Sequence, residues 1–218
     1  MLTFDEKTAE IVGLSFGDGS LTRRVSGKDK GRLRFQLRGD INEDREHYDS
    51  YVKPLFDKNI GRVNFVTCNG NTASYGIYSE RKEICSQLLE LGIPLGVKKE
   101  LIIPEWIKDN SSYSKAFLRG YFDTDGGVFC GRDYNYPEKK HIKIRIAVGS
   151  ICLEFINEVH FCLNKLGVHS LVLCDYKPKL ETHNLFRRIQ ISGQGVLKYI
   201  QIVGTKNPKH LTKYEIWK

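Results

Sequence analysis

Ile11-Val12-Gly13-Leu14-Ser15-Phe16-Gly17-Asp18-Gly19 returns later in the chain as Leu118-Arg119-Gly120-Tyr121-Phe122-Asp123-Thr124-Asp125-Gly126. Setting Asp18 on Asp125 fixes an offset of 125 − 18 = 107 residues. The same offset carries Ala9 onto Ala116, Gly13 onto Gly120, Gly17 onto Thr124 and Gly19 onto Gly126. An internal repeat decides the architecture before any single element does. The 218 residues are two halves of similar plan.

Each copy reads as a helix. Ala9, Gly13 and Gly17 recur every fourth residue, as do Ala116, Gly120 and Thr124, so each set lines one helical stripe. A stripe of small residues lets two helix backbones approach closely. Glycine inside a helix otherwise costs about 1 kcal/mol relative to alanine, so close packing is the expected compensation. The other faces carry Ile11, Val12, Leu14 and Phe16, which predicts burial nearly all round.

Asp18 and Asp125 fall at the last turn of their helices, each before a glycine suited to a left-handed cap. A carboxylate there faces the negative end of the helix dipole. If the stripes pack together, the two carboxylates also become neighbours and repel. A divalent cation removes both penalties, because hard cations prefer carboxylate oxygen.

The paired stretches resemble the LAGLIDADG motif that names a family of homing endonucleases. The second copy is the closer match; the first departs at Phe16 and Gly17 but keeps a Gly-Asp-Gly ending. The resemblance is to archaeal-type, intron-encoded monomers with two motifs, and covers nearly the whole chain. It implies an α+β fold of two pseudo-symmetric αββαββα halves, packed through the motif helices, with antiparallel sheets forming a DNA-binding saddle. It also implies a divalent metal, Mg2+ or Mn2+, held by Asp18 and Asp125 with Gly17 and Thr124 beside them. A basic or polar residue after the fourth strand of each half is expected to assist catalysis, which points to Lys82 and Gln194.

Composition agrees. The formal charge of +8 and pI near 9.1 suit a polyanionic partner. Six cysteines show no CxxC and no Cys/His ligand spacing, which argues against zinc. Neither a membrane span nor a secretory signal is evident, so an intracellular protein is expected, cytoplasmic in a prokaryote and organellar in a eukaryote.

Taken in order, Thr3-Phe4-Asp5-Glu6 offers a capping box for the first helix. A strand follows at 21–25, then one in which Arg32, Arg34, Gln36 and Arg38 alternate with Leu33, Phe35 and Leu37. Solvated strand faces ordinarily mix acids with bases; this one has none. Arginine and glutamine are the side chains that pair bidentately with guanine and adenine edges. A helix over 44–59 containing Pro54, a hairpin across Asn69-Gly70 and a helix over 80–91 complete half one, residues 1–92. Residues 93–112 read as a linker and 113–218 as half two. There His141, Lys143 and Arg145 alternate with isoleucines, Arg187, Arg188 and Gln190 enrich the last strand, and 204–218 reads as a basic tail. The expected activity is a metal-dependent double-strand break in a long duplex DNA target, serving intron homing. The alternatives are a maturase acting on intron RNA and a DNA-binding regulator that does not cut.

Overall fold

Asp5, rather than Thr3, starts the first helix. Its carboxylate accepts the backbone N–H groups of Lys7 and Thr8, both at 2.9 Å, while the Thr8 hydroxyl accepts the Asp5 N–H at 2.9 Å. This is a capping box two residues later than the sequence suggested. The computed structural model describes residues 2–68, 73–98, 100–132, 142–174 and 185–217. The Asn69-Gly70 turn and His141 lie outside these residues.

Helix α1 (Glu6–Phe16) leads into strands β1 (Gly19–Arg23) and β2 (Leu33–Asp40). The 44–59 helix is real but compound. A first turn, α2 (Arg45–His47), widens into a π turn at Tyr48–Val52 and then resumes as α3 (Lys53–Asn59). Pro54 follows directly on the π turn, where the departure from the regular i→i−4 ladder accommodates a residue without an N–H. Strands β3 (Asn64–Cys68) and β4 (Ser74–Ser79) and helix α4 (Lys82–Glu90) follow.

The connection between halves contains a short helix, α5 (Glu105–Lys108), with Ile93, Leu101, Ile103 and Ile107 buried. The second motif helix, α6 (Ser111–Asp125), is capped by Asn110. Strands β5 (Gly127–Arg132) and β6 (Ile142–Ser150), helix α7 (Leu153–Lys165), strands β7 (Leu171–Cys174) and β8 (Arg187–Ser192) and helix α8 (Gln194–Ile202) repeat the plan of half one. The expected tail is instead helix α9 (Pro208–Trp217), with His210 and Tyr214 buried. Each half holds one antiparallel four-stranded sheet, in the orders β1-β2-β4-β3 and β5-β6-β8-β7.

The halves meet where α1 and α6 cross. Residues Thr8 through Phe16 of α1 are all buried, as the pattern predicted. A Cβ on Gly13 would lie 2.1 Å from the Phe117 carbonyl oxygen, and one on Gly120 would lie 2.3 Å from that of Glu10. Backbone touches backbone there, so only glycine fits. The glycines after the aspartates serve the same end. Gly126 is extended (φ −89°, ψ 170°) rather than left-handed, and a Cβ would strike the Phe122 ring. A Cβ on Gly19 would lie 2.5 Å from the Ser15 carbonyl oxygen.

An ion pair on a buried carboxylate crosses this interface. Arg119 of α6 donates twice to Glu10 of α1, at 2.6 and 3.0 Å, and the Tyr51 hydroxyl donates to the same carboxylate at 2.6 Å. Phe16, Phe117, Tyr121 and Phe155 pack edge-on and stacked around the crossing.

Gly13→Ala is expected to lower stability by about 1–3 kcal/mol through overpacking, measured as a drop in Tm. Gly131→Ala, where an added Cβ meets nothing within 4 Å, is the control and should leave Tm nearly unchanged.

Candidate active site

The crossing delivers the two aspartates to one place. Asp125 is the last residue of α6, whereas Asp18 lies two residues past the end of α1. Gly17 lets them converge: a Cβ there would lie 3.3 Å from the Asp125 carboxyl carbon and would collide with the Thr124 hydroxyl. Burial pushes the Asp18 carboxyl up to about 7, reinforced by Asp125 and Asp44 and opposed by Lys209 and Lys98. Burial likewise pushes Asp125 up to about 6, with Lys98 opposing. Both acids are held in an environment that resists their charge.

Lys98 is a cation whose charge acts on both. Its ammonium donates to the carbonyl oxygens of Phe16, at 2.9 Å, and of Gly17, at the C-terminus of α1. Burial lowers its pKa to about 8 despite Asp125 and Asp18. The route by which it arrives is specific. Leu95 forms a parallel bridge with Leu21 of β1, and the Gly96 N–H donates to the Leu21 carbonyl at 2.7 Å. That edge contact, turned by Gly96 at φ 90°, places Lys98 two residues on at the helix end.

The auxiliary residues expected after the fourth strands both stand at helix starts. Lys82 opens α4 and is exposed, as is Gln194 at the start of α8. The lysines that act on Asp18 are Lys98 and Lys209. Thr124 is spent locally: its hydroxyl donates to the Gly120 and Tyr121 carbonyls at 3.2 and 3.1 Å. Gly17 contributes through its carbonyl and through the space its missing side chain leaves.

A second layer comes from the segment read as a tail. The Thr205 hydroxyl and the Lys206 N–H both donate to Asp123, the latter at 2.8 Å. Burial raises Asp123 to about 7, against the pull of those two bonds. The Asn207 amide donates to Asp44 and to the Asp123 carbonyl, both at 2.9 Å, and so joins the two halves. Lys209 pairs with Asp44 at 2.7 Å. His47 and His210 are buried beside Asp44, and burial lowers them to about 4 and about 3. The sequence held a signal for this layer. Asn207-Pro208 is a capping residue followed by proline at the first helical position. The lysine spacings also match roughly, 98 − 18 = 80 and 209 − 125 = 84.

The basic strands carry their charge where the alternation put it. On β2, Arg34, Gln36 and Arg38 share the face opposite buried Phe35 and Leu37. Register places Gln36 between Ser20 and Tyr78, and Arg34 lies over the Tyr78 ring at 5.3 Å. Arg38 donates to the Cys68 sulfur at 2.9 Å. Arg32, just before β2, pairs with Asp29 at 3.4 Å. In half two, Lys143 and Arg145 are exposed on β6, and Arg145 lies over the Phe129 ring at 5.4 Å. Arg188 and Gln190 pair in register with Gly149 and Ala147 on that face. Arg187 departs from the group, because it alternates with buried Ile189 and Ile191 and so points to the other side of the sheet.

The centre fits a hard divalent cation. It offers two carboxylates of raised pKa and the carbonyls of a helix end, and it already draws a lysine ammonium into the same space. Among the described residues no three His, Cys, Asp or Glu side chains gather as a metal cage. Two carboxylates with remaining positions open is the pattern of Mg2+-type sites completed by water and phosphate.

Comparison with known proteins agrees with this geometry. Residues 112–207 match the LAGLIDADG-like domain family. The whole chain superposes on I-DmoI in complex with DNA and Ca, with a TM-score of 0.66 at 16% identity, covering 97% of each chain. It superposes on I-WcaI bound to its DNA recognition sequence with a TM-score of 0.62 at 14% identity, covering 98% of this chain and 87% of that one. The second half is thus a LAGLIDADG-like domain, and the fold of the whole chain is that of the LAGLIDADG homing endonucleases. Among curated proteins, the replication factor C small subunit of Methanocaldococcus jannaschii is 28% identical over 212 residues. The tRNA-splicing ligase RtcB of the same organism is 25% identical over 210. The chain matches 11% of the first and 21% of the second, a small fraction of either protein.

The raised carboxyl of Asp18 has a measurable sign. Its folded-state pKa lies near 7 against 3.8 for the free group, so the folded state holds the proton more tightly. The stability it contributes is present at low pH and lost as pH rises through 7. In EDTA, Asp18→Asn is expected to gain on the wild type between pH 4 and 8 by on the order of 1–2 kcal/mol, discounted for partial exposure. Parallel stability curves for the two proteins would contradict this.

Proposed function

We propose that this chain is a site-specific DNA endonuclease that makes a metal-dependent double-strand break in a long duplex target. The observation that carries the reading is the meeting of Asp18 and Asp125 at the crossing of two like halves, each with its own basic sheet. Solved proteins of this fold carry DNA together with Mn or Ca, or target DNA in the presence of Mg, which supports a divalent cation and a duplex partner. Mg2+ is the proposed physiological ion.

The residues divide the work. Arg34, Gln36 and Arg38 in one half, and Lys143, Arg145, Arg188 and Gln190 in the other, face the groove of a duplex laid across both sheets. Contacts to phosphate supply salt-dependent affinity, and arginine and glutamine forks read base edges. Asp18 and Asp125 would hold the cation. When bound, that ion lowers the pKa of water and neutralises charge on the scissile phosphate. Lys98, with its pKa lowered to about 8, can exchange a proton near neutral pH with the attacking water or the leaving oxygen. The second layer of Asp123, Thr205, Asn207 and Asp44 fixes the helix ends from which the aspartates project.

Homing is the proposed role. Matching segments occupy small parts of two proteins with unrelated names, as a module that moves between hosts would.

Incubation with a randomised duplex library in Mg2+, followed by sequencing of cut ends, tests the reading. Staggered breaks at one long sequence are expected, with none from the Asp18→Asn/Asp125→Asn double variant, which should still retain that duplex. Cutting by the double variant at the same site would remove the aspartates from the mechanism. Lys98→Met is expected to slow cleavage roughly 10²- to 10⁴-fold, while Lys82→Met stays close to wild type. The reverse order of effects would return the auxiliary role to Lys82.

A further inference from the structure

Three arginines at one end of the first sheet converge on a single acid. Glu80, the residue after β4, accepts Arg24 at 2.8 Å, with Arg32 at 3.7 Å and Arg34 at 3.8 Å. Its side chain is 18% exposed, while the arginines are 39%, 49% and 30% exposed, so the acid lies beneath the guanidinium groups it binds. Asp29, on the turn between β1 and β2, adds an outer contact to Arg24 at 3.2 Å and to Arg32 at 3.4 Å. The Gln36 amide, turned oxygen-first, accepts from Arg34 and extends the network along the strand.

A carboxylate on a face meant for a polyanion is chemically odd. Within a Debye length of about 8–10 Å it repels phosphate and weakens binding to any duplex. Affinity alone would select against it. Half two has no carboxylate at the corresponding position, because the residue that follows strand β8 is Gly193.

We propose that Glu80 is a specificity-determining residue. It pins Arg24, Arg32 and Arg34 in fixed forks for base edges and keeps them from collapsing onto the phosphates of random DNA. The proposal rests on the DNA-binding reading of this face. An arginine tied to Glu80 is not free to displace a counterion, so the first half gives up non-specific affinity. It gains guanidinium groups already oriented, which lose less freedom on reaching a guanine.

Three variants separate charge from position: Glu80→Gln, which removes the charge at constant size; Glu80→Asp, which keeps the charge but withdraws it; and Asp29→Asn, a charge-matched control on the exposed turn. Each is titrated in Ca2+ against random duplex and against the target selected with wild-type protein, over a range of salt. Glu80→Gln is expected to bind random duplex about threefold to tenfold more tightly, with a log–log salt slope steeper by about one, while gaining little on the target. Glu80→Asp is expected to leave random binding near wild type and to weaken target binding roughly tenfold. Asp29→Asn should move the ratio of the two affinities far less than either.

Equal changes on both duplexes in Glu80→Gln, or a matching loss of discrimination in Asp29→Asn, would overturn the proposal. So would a lowered Tm accompanied by weaker binding to both duplexes, which would assign Glu80 to the fold. If wild-type protein retains no duplex even at low salt, the DNA reading itself fails and takes this role with it; that result is distinct from the others.

Discussion

Everything at the centre of this molecule depends on how closely two helix backbones approach. Where Gly13 meets Phe117 and Gly120 meets Glu10, an added methyl would fall within 2.1 and 2.3 Å of a carbonyl oxygen. No side chain can act as a spacer, so the angle and depth of the crossing are set by main-chain atoms, which do not change rotamer. The two helix ends inherit that rigidity. Asp18 and Asp125 face each other because the backbones carrying them have nowhere else to go.

The constraint has an electrostatic cost that the surroundings answer in part. Glu10, Asp18, Asp44, Asp123 and Asp125 all lie around one helix pair. Glu10 is matched by Arg119 and Tyr51, Asp44 by Lys209 and Asn207, and Asp123 by Thr205 and the Lys206 amide. Asp18 and Asp125 share Lys98, which burial pulls toward losing its proton, and Asp18 feels Lys209 as well. A fold selected for stability alone would place apolar side chains here, since buried ion pairs gain little over well-packed hydrophobic residues. The charge left unresolved at the centre is what a bound cation would resolve, as the proposed function requires.

The repeat made much of this legible. Small residues at fourfold spacing predicted the crossing, and the aspartates at matched positions predicted the paired acids. Period-two alternation placed Arg34, Gln36, Arg38 and Arg145 on the outer faces. What escaped the sequence was contributed by chain that looked like connection. Lys98 sat in an expected linker, and its approach depends on a bridge between Leu95 and Leu21 that no local pattern announces. Thr205, Asn207 and Lys209 sat in an expected basic tail, although Asn207-Pro208 marks a helix start. Arg187 was grouped with Arg188 by composition, where strand alternation separates them. The glycines after the aspartates were read for conformational freedom, but contact with Ser15 and Phe122 is what requires them.

The most direct test is the anomalous signal of Mn2+ in crystals of the protein with its selected duplex. A manganese peak at about 2.0–2.3 Å from carboxylate oxygens of both Asp18 and Asp125, the range for hard cations on oxygen, is the expected result. Peaks that lie away from both aspartates, with the two helices still crossed at their glycines, would contradict the claim that this crossing exists to build a cation centre.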